Sequence, residues 1–205
     1  MLFPGARLTN QQNARTLLRQ QLRQRRTSLS LSEQQSASDA LLHNVTALPQ
    51  WKSANFIASY LANDGEIDLS NVMHHAWQQK RHTTLPVIHP FSPKHLLFLR
   101  FTPTTLLVKN RFNIDEPALA CPSVVPLQEH DIILMPLVGF DEAGNRLGMG
   151  GGFYDRALAS FRNKSKRPWL VGTAHDCQCV EHLPVAPWDV PLDVIVTPTR
   201  VISPT

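Results

Sequence analysis

An arginine, a glycine-rich turn and an aspartate fall within ten consecutive residues, Arg146-Leu147-Gly148-Met149-Gly150-Gly151-Gly152-Phe153-Tyr154-Asp155. Four of the five positions from 148 to 152 are glycine. Glycine lets the backbone approach a ligand closely and reaches φ > 0 without steric cost. Upstream, Ile132-Ile133-Leu134-Met135-Pro136-Leu137-Val138 reads as a strand; downstream, Arg156-Ala157-Leu158 continues a helix start. Such a turn offers free N–H groups at the positive end of a helix dipole, which suits phosphate. Arg146 adds a planar fork for phosphate oxygens, and Asp155 a hard oxygen ligand for a metal ion that travels with phosphate.

The familiar phosphate loops do not fit. No Lys-Ser/Thr follows the last glycine, as a Walker A loop requires. The spacing Gly148-x-Gly150-x-Gly152 is not G-x-G-x-x-G, and about ten residues separate the turn from the strand before it, so a dinucleotide-binding oxidoreductase is the weaker reading. A plain flexible hinge is the bland alternative. The flanking Arg146 and Tyr154-Asp155 favour a ligand.

A second constellation lies near the N-terminus. Arg15, Arg19, Arg23 and Arg26 recur at helical spacing, with Leu18, Leu22 and Leu29 favouring another face. The bland reading is a solvated basic face, and a nucleic-acid-binding surface is a rival. Against the rival, no aromatic residues interleave the arginines and the net charge is only +4.

The three cysteines, Cys121, Cys177 and Cys179, are an odd count without an apolar leader ahead of them. That points to a reducing, cytoplasmic setting rather than a disulfide framework. His175-x-Cys177-x-Cys179-x-x-His182 lacks the spacing of a common zinc site and reads as a strand end passing into a surface turn. No apolar run approaches the ~18 residues of a membrane span.

These groups must be held by alternating elements. Ser30-x-x-Glu33 resembles a capping box and opens a helix to about residue 48. Strands are expected over 54–61, 83–88, 96–102, 131–137, 169–175 and 192–197, a helix over 69–80, and mostly loop over 109–126. Strands alternating with helices indicate an α/β fold with a largely parallel sheet. Residues 1–12 read as a loose N-terminal extension broken by Pro4 and Gly5, and 13–205 as a single domain.

The stretch from Met135 to Arg156, MPLVGFDEAGNRLGMGGGFYDR, resembles the signature of the 5-formyltetrahydrofolate cyclo-ligase (5,10-methenyltetrahydrofolate synthetase) family. Other parts of that pattern follow in order: Arg15 and Arg19, Glu66-Ile67-Asp68 after a Tyr60-containing strand, Leu85-Pro86-Val87, and Asp189 before Val194-Ile195-Val196-Thr197. The likeness spans about residues 13–200. The family often has lysine where Arg15 stands.

The resemblance implies a three-layer α/β/α fold similar to that of phosphosugar isomerases and CoA transferases. It implies an enzyme that uses ATP and Mg²⁺ to close 5-formyltetrahydrofolate, with or without a polyglutamate tail, into 5,10-methenyltetrahydrofolate. A monomer, without nucleic-acid or membrane partners, is expected. By matched position, Arg15, Arg19 and Arg146 would bind ATP phosphates, with Gly148, Met149, Gly150, Gly151, Gly152, Phe153 and Tyr154 around the nucleotide. Tyr60, Glu66, Gly150, Gly151, Phe153 and Tyr154 would contact the folate, Glu66 by hydrogen bonds to the pterin. Asp155 and Asp189 would support the metal, and Arg146 and Tyr154 would serve the chemistry. Arg23, Arg25 and Arg26 are left as surface or structural charges, and Asp141 as a turn residue.

Overall fold

The computed structural model describes residues 4–92, 94–161, 164 and 167–204. In chain order the elements are α1 (Pro4–Thr27), α2 (Leu31–Ala47), α3 (Pro49–Ser53), β1 (Phe56–Ala58), α4 (Ser70–Gln78), β2 (His82–Ile88), β3 (Leu96–Phe101), β4 (Leu107–Lys109), β5 (Asp115–Pro117), β6 (Ile132–Pro136), β7 (Gly139–Phe140), β8 (Arg146–Leu147), α5 (Phe153–Leu158), β9 (Trp169–Thr173), β10 (Val194–Val196) and β11 (Val201–Ile202). α1 begins at Pro4, so residues 4–12 are helical where the sequence reading expects a loose extension. Proline is tolerated in a first helical turn, where its missing N–H has no partner to lose. The Ser30 capping box is present: Ser30 Oγ accepts from the Glu33 backbone N–H at 3.3 Å, and Glu33 Oε2 accepts from the Ser30 N–H at 2.7 Å.

Seven strands form one sheet in the order β11-β10-β9-β6-β1-β2-β3. The five inner strands are parallel, and the outermost pairs, β10–β11 and β2–β3, are antiparallel. Alternation along β6 sends Ile132 and Leu134 to one face and Ile133 and Met135 to the other. The first face packs on α2 and α4 through Leu41, Val45, Val72 and Ala76. The second is covered by α5 and the segment before β10, through Leu158, Val190 and Leu192. A sheet buried on both faces explains the continuous apolar run of β6.

Every strand expected from the sequence is present. Within the stretch expected as mostly loop, β4 and β5 pair as an antiparallel hairpin that packs on β2 and β3. A second hairpin, β7–β8, carries Asp141 at its tip. Asp141 is buried and accepts from the N–H groups of Ala143, Asn145 and Leu183 at 3.1, 3.1 and 2.9 Å, which is the turn role expected of it. Among the described residues no helix is long and apolar enough to cross a membrane.

The strand order reverses between β1 and β6, because β2 follows β1 on one side while β9 and β10 extend the sheet on the other. Open parallel sheets bind ligands beyond the carboxyl ends of their strands at such a switch point.

Candidate active site

A cleft of about 910 Å³ opens at that point. Tyr60 and Leu61 beyond β1, Pro136, Leu137 and Val138 at the end of β6, and the turn from Gly148 to Gly152 line it. All the site residues expected from the sequence line it as well: Arg15, Arg19, Tyr60, Glu66, Arg146, Gly148, Met149, Gly150, Gly151, Gly152, Phe153, Tyr154, Asp155 and Asp189. Gly150 and Gly152 hold φ of +97° and +64°, which L side chains rarely adopt. Gly152 caps α5 in the left-handed region, and a Cβ there would meet Arg156 Nη1 at 2.8 Å. The glycines keep their own side chains out of the turn, and Arg19, Phe153 and Arg156 pack into the space so left. Arg156 secures the turn from outside, donating to the Gly151 carbonyl and, at 2.9 Å, to the Lys94 carbonyl.

The arginine row of α1 is not a solvated face. Arg15 forms a two-pronged pair with Asp189 at 2.6 and 3.1 Å and also donates to the Pro184 carbonyl at 2.8 Å. Arg19 Nε donates to the Gly148 carbonyl at 2.8 Å, fixing the entry to the glycine turn. Arg23 pairs with Asp64 at 2.7 Å. Arg26 is fully buried. Arg25 lies exposed. The sequence pattern located the row, but its partners come from distant segments that only the folded chain brings near.

Arg146 is buried, and its Nη2 donates to Asp155 Oδ1 at 2.6 Å. The same oxygen accepts from the Val190 N–H at 3.2 Å, which ties α5 to the segment carrying Asp189. Asp155 and Asp189 both act electrostatically on Arg146, and both line the cleft although far apart in sequence. Desolvation lowers the pKa of Arg146 against the pull of Asp155 and Asp189, and desolvation and then the like charge of Arg15 lower that of Arg19. Three guanidiniums face two carboxylates here, leaving the cluster with an excess positive charge suited to a polyanion. Among the described residues no group of three His, Cys, Asp or Glu gathers as a metal cage, at His175–His182 or elsewhere.

The other wall is built from the β1–α4 loop. Asp64 and Gly65 both have positive φ, at +54° and +74°, as in a type I′ turn, and the Glu66 N–H donates to the Asn63 carbonyl at 3.0 Å. This turn delivers Glu66 to the cleft floor, where burial raises its pKa to about 7 against the opposing pull of Arg26. Tyr60 is buried, donating to the Ile67 carbonyl and lying 3.0 Å from Thr173 Oγ1. Burial and the nearby Glu66 raise the pKa of both Tyr60 and Tyr154. The Tyr154 hydroxyl and Arg146 Nε are buried without a hydrogen-bond partner. Such groups are costly inside a protein and are the ones a ligand can satisfy.

Sequence reasoning missed part of the lining. The β4–β5 hairpin contributes Asn110, Phe112, Ile114 and Glu116. Phe112 meets Phe153 edge-on at 6.2 Å. Trp188, more than half exposed, lines the cleft beside Asp189. A lone aromatic before Asp189 was the available signal; the short strands of the hairpin, three residues each, offered none.

The raised Glu66 pKa has a consequence for stability. A carboxyl whose pKa rises from 4.5 to about 7 on folding supports the fold below the lower value and loses that support as pH climbs through the higher one. Glu66→Gln is expected to gain stability over the parent between pH 5 and pH 8, by up to roughly 3 kcal/mol. Urea unfolding at the two pH values checks this; a constant difference between variant and parent would contradict it.

An open α/β sheet with a large cleft at its switch point places the chain among α/β proteins that bind ligands beyond their strand ends. The 5-formyltetrahydrofolate cyclo-ligase family profile matches residues 11–198. The chain belongs to that family. It is 44% identical over 180 residues to the 5-formyltetrahydrofolate cyclo-ligase of Escherichia coli K12, covering 88% of this chain and 98% of the relative. It is 45% identical over 183 residues to that of Haemophilus influenzae, covering 89% and 97%. The NMR structure of Aquifex aeolicus 5,10-methenyltetrahydrofolate synthetase superposes with a TM-score of 0.78 at 30% identity, over 92% of each chain.

Proposed function

We propose that this enzyme uses ATP to convert 5-formyltetrahydrofolate into 5,10-methenyltetrahydrofolate, ADP and phosphate. The observation that carries the reading is one cleft holding both a guanidinium-and-glycine lobe and a floor with a buried carboxylate and aromatic rings. At about 910 Å³ it sits at the upper end of the ~300–1,000 Å³ range of ligand sites, with room for two ligands side by side.

The formyl oxygen of the substrate is an amide oxygen and a very poor leaving group. Its transfer onto the γ-phosphoryl group of ATP turns it into one oxygen of a departing phosphate. The neighbouring secondary amine of the folate attacks the formyl carbon, the ring closes, and the C–O bond breaks with loss of phosphate. Little covalent chemistry falls to the protein, so catalysis is positioning and charge stabilisation. Arg19 and Arg146 hold the triphosphate with the N–H groups of residues 148–152. Arg15 reaches it from its pairing with Asp189. Arg146 Nε and the Tyr154 hydroxyl gain ligand partners for bonds that the protein does not supply. Glu66 accepts from the N–H edge of the pterin, and Phe153, Phe112 and Tyr60 flank the folate. The enzyme works as a cytoplasmic monomer in this reading, on substrate with or without a polyglutamate tail.

The residues fit a magnesium ion carried in by the nucleotide rather than a resident one. Asp155 and Asp189 are hard-oxygen donors that both line the cleft, and Mg²⁺ commonly takes one or two carboxylates, with phosphates and waters completing its shell. Bound there, the ion would neutralise charge developing on the phosphates. Asp155→Asn and Asp189→Asn should each raise the magnesium concentration needed for turnover, and the double variant should be far from additive. Magnesium titrations that overlay the parent curve would leave these aspartates as anchors for Arg146 and Arg15 alone.

The reading is tested by following the near-ultraviolet absorbance of the methenyl product from 5-formyltetrahydrofolate. Product that forms with ATP and magnesium, and not without ATP, supports it. No product under either condition rejects it.

A further inference from the structure

Arg26 stands behind the cleft wall with each nitrogen of its guanidinium bonded to backbone or carboxylate. Nε donates to the Asp64 carbonyl at 2.8 Å, Nη1 to the Leu137 carbonyl at 3.1 Å and Nη2 to Asp64 Oδ2 at 2.9 Å. One side chain of α1 thereby clamps the type I′ turn that delivers Glu66 and the segment that leaves β6. Both segments line the cleft. Glu66 Oε1 lies 3.8 Å from Nη2, too far for a hydrogen bond and close enough for strong attraction at a buried site. Arg26 therefore supplies charge to Glu66 without using up its acceptor oxygens. The Asn63 N–H is bonded to Oε2 at 3.2 Å.

We propose that Arg26 is a positioning residue for ring recognition, holding Glu66 in place as a charged acceptor for the N–H edge of a flat heterocycle. The inference rests on the reading of Glu66 as the ring-binding residue. A carboxylate can accept two N–H bonds side by side only when ionised, and a protonated one presents a donor to the same edge. Burial pushes Glu66 toward the protonated form, as does the carboxylate of Asp64, while Arg26 opposes both. Among the described residues Tyr60 and Tyr154 also sense Glu66. Losing Arg26 and losing Asp64 must therefore move Glu66 in opposite directions. A residue that only braced the fold would move it in neither.

The test is the pH profile of kcat/KM for 5-formyltetrahydrofolate in the parent, Arg26→Gln, Arg26→Lys, Asp64→Asn and Glu66→Gln. Arg26→Gln should shift the acid limb to higher pH and raise the folate KM roughly tenfold at pH 7, the size of one lost charge-assisted bond. Its KM for ATP should stay at the parent value. Arg26→Lys should restore part of the folate KM. Asp64→Asn should shift the acid limb to lower pH. Glu66→Gln should remove that limb and raise the folate KM. An unchanged folate KM in Glu66→Gln would sink the ring-binding reading itself. A raised KM in Glu66→Gln, with acid limbs of Arg26→Gln and Asp64→Asn lying on the parent limb, would overturn the Arg26 inference alone. Should Arg26→Gln fail to fold, Asp64→Asn decides: a limb moved down supports the inference, and a limb unmoved or moved up rejects it.

Discussion

Gly150→Val is expected to fold and to bind ATP at least about a hundredfold more weakly than the parent. Gly150 is exposed, so no core contact is at risk, and its φ of +97° belongs to a region that a β-branched residue avoids. The loop must leave its conformation, and the N–H groups proposed to meet the nucleotide go with it. A Cβ at this position would touch the Arg19 guanidinium at 3.5 Å, an ordinary contact, so the effect rests on the backbone conformation. Loss of two to three aligned hydrogen bonds to a charged ligand, at about 1.5–3 kcal/mol each, exceeds the ~2.7 kcal/mol that corresponds to a hundredfold. Isothermal titration with a non-hydrolysable ATP analogue, alongside a thermal melt, checks both halves. Parent-like affinity in a folded Gly150→Val protein would remove the turn from the nucleotide site.

Arg146→Gln should lower kcat for ring closure by about 10²–10³, the scale for removing one donor aimed at developing charge. Arg146 is buried, desolvation opposes its charge, and among the described residues its Nε has no partner, so in the proposed reading a ligand phosphate would offset that cost. Arg25→Gln removes a charge of the same sign from an exposed position and should leave kcat within about twofold. Steady-state kinetics on the two proteins make the comparison. Equal losses would mean that the arginines act only as a diffuse positive field.

Local features of the chain were readable without coordinates. The glycine turn, Arg146 and Asp155 lie within one short segment, so their proximity is covalent. The capping box of α2 and the alternating strands are likewise local patterns. Features that depend on docking were not readable. Arg26 looked like one more surface or structural charge, because its partners Asp64 and Leu137 lie 38 and 111 residues away. The Tyr60–Thr173 contact and the Phe112 edge of the cleft depend on sheet order and on a hairpin whose strands are only three residues long. Asp155 and Asp189 show a different limit. Their residue type suits metal, but the fold also gives each an arginine, and a side chain's chemistry alone does not say which partner it meets first.

The central claim is that ATP activates the formyl oxygen, and an isotope can follow that atom. 5-Formyltetrahydrofolate labelled with ¹⁸O in its formyl group, turned over with unlabelled ATP and magnesium, is expected to deliver the label to inorganic phosphate. One ¹⁸O should appear per phosphate formed, read by mass spectrometry. Methenyl product accompanied by unlabelled phosphate, with the ¹⁸O released into water, would contradict the account.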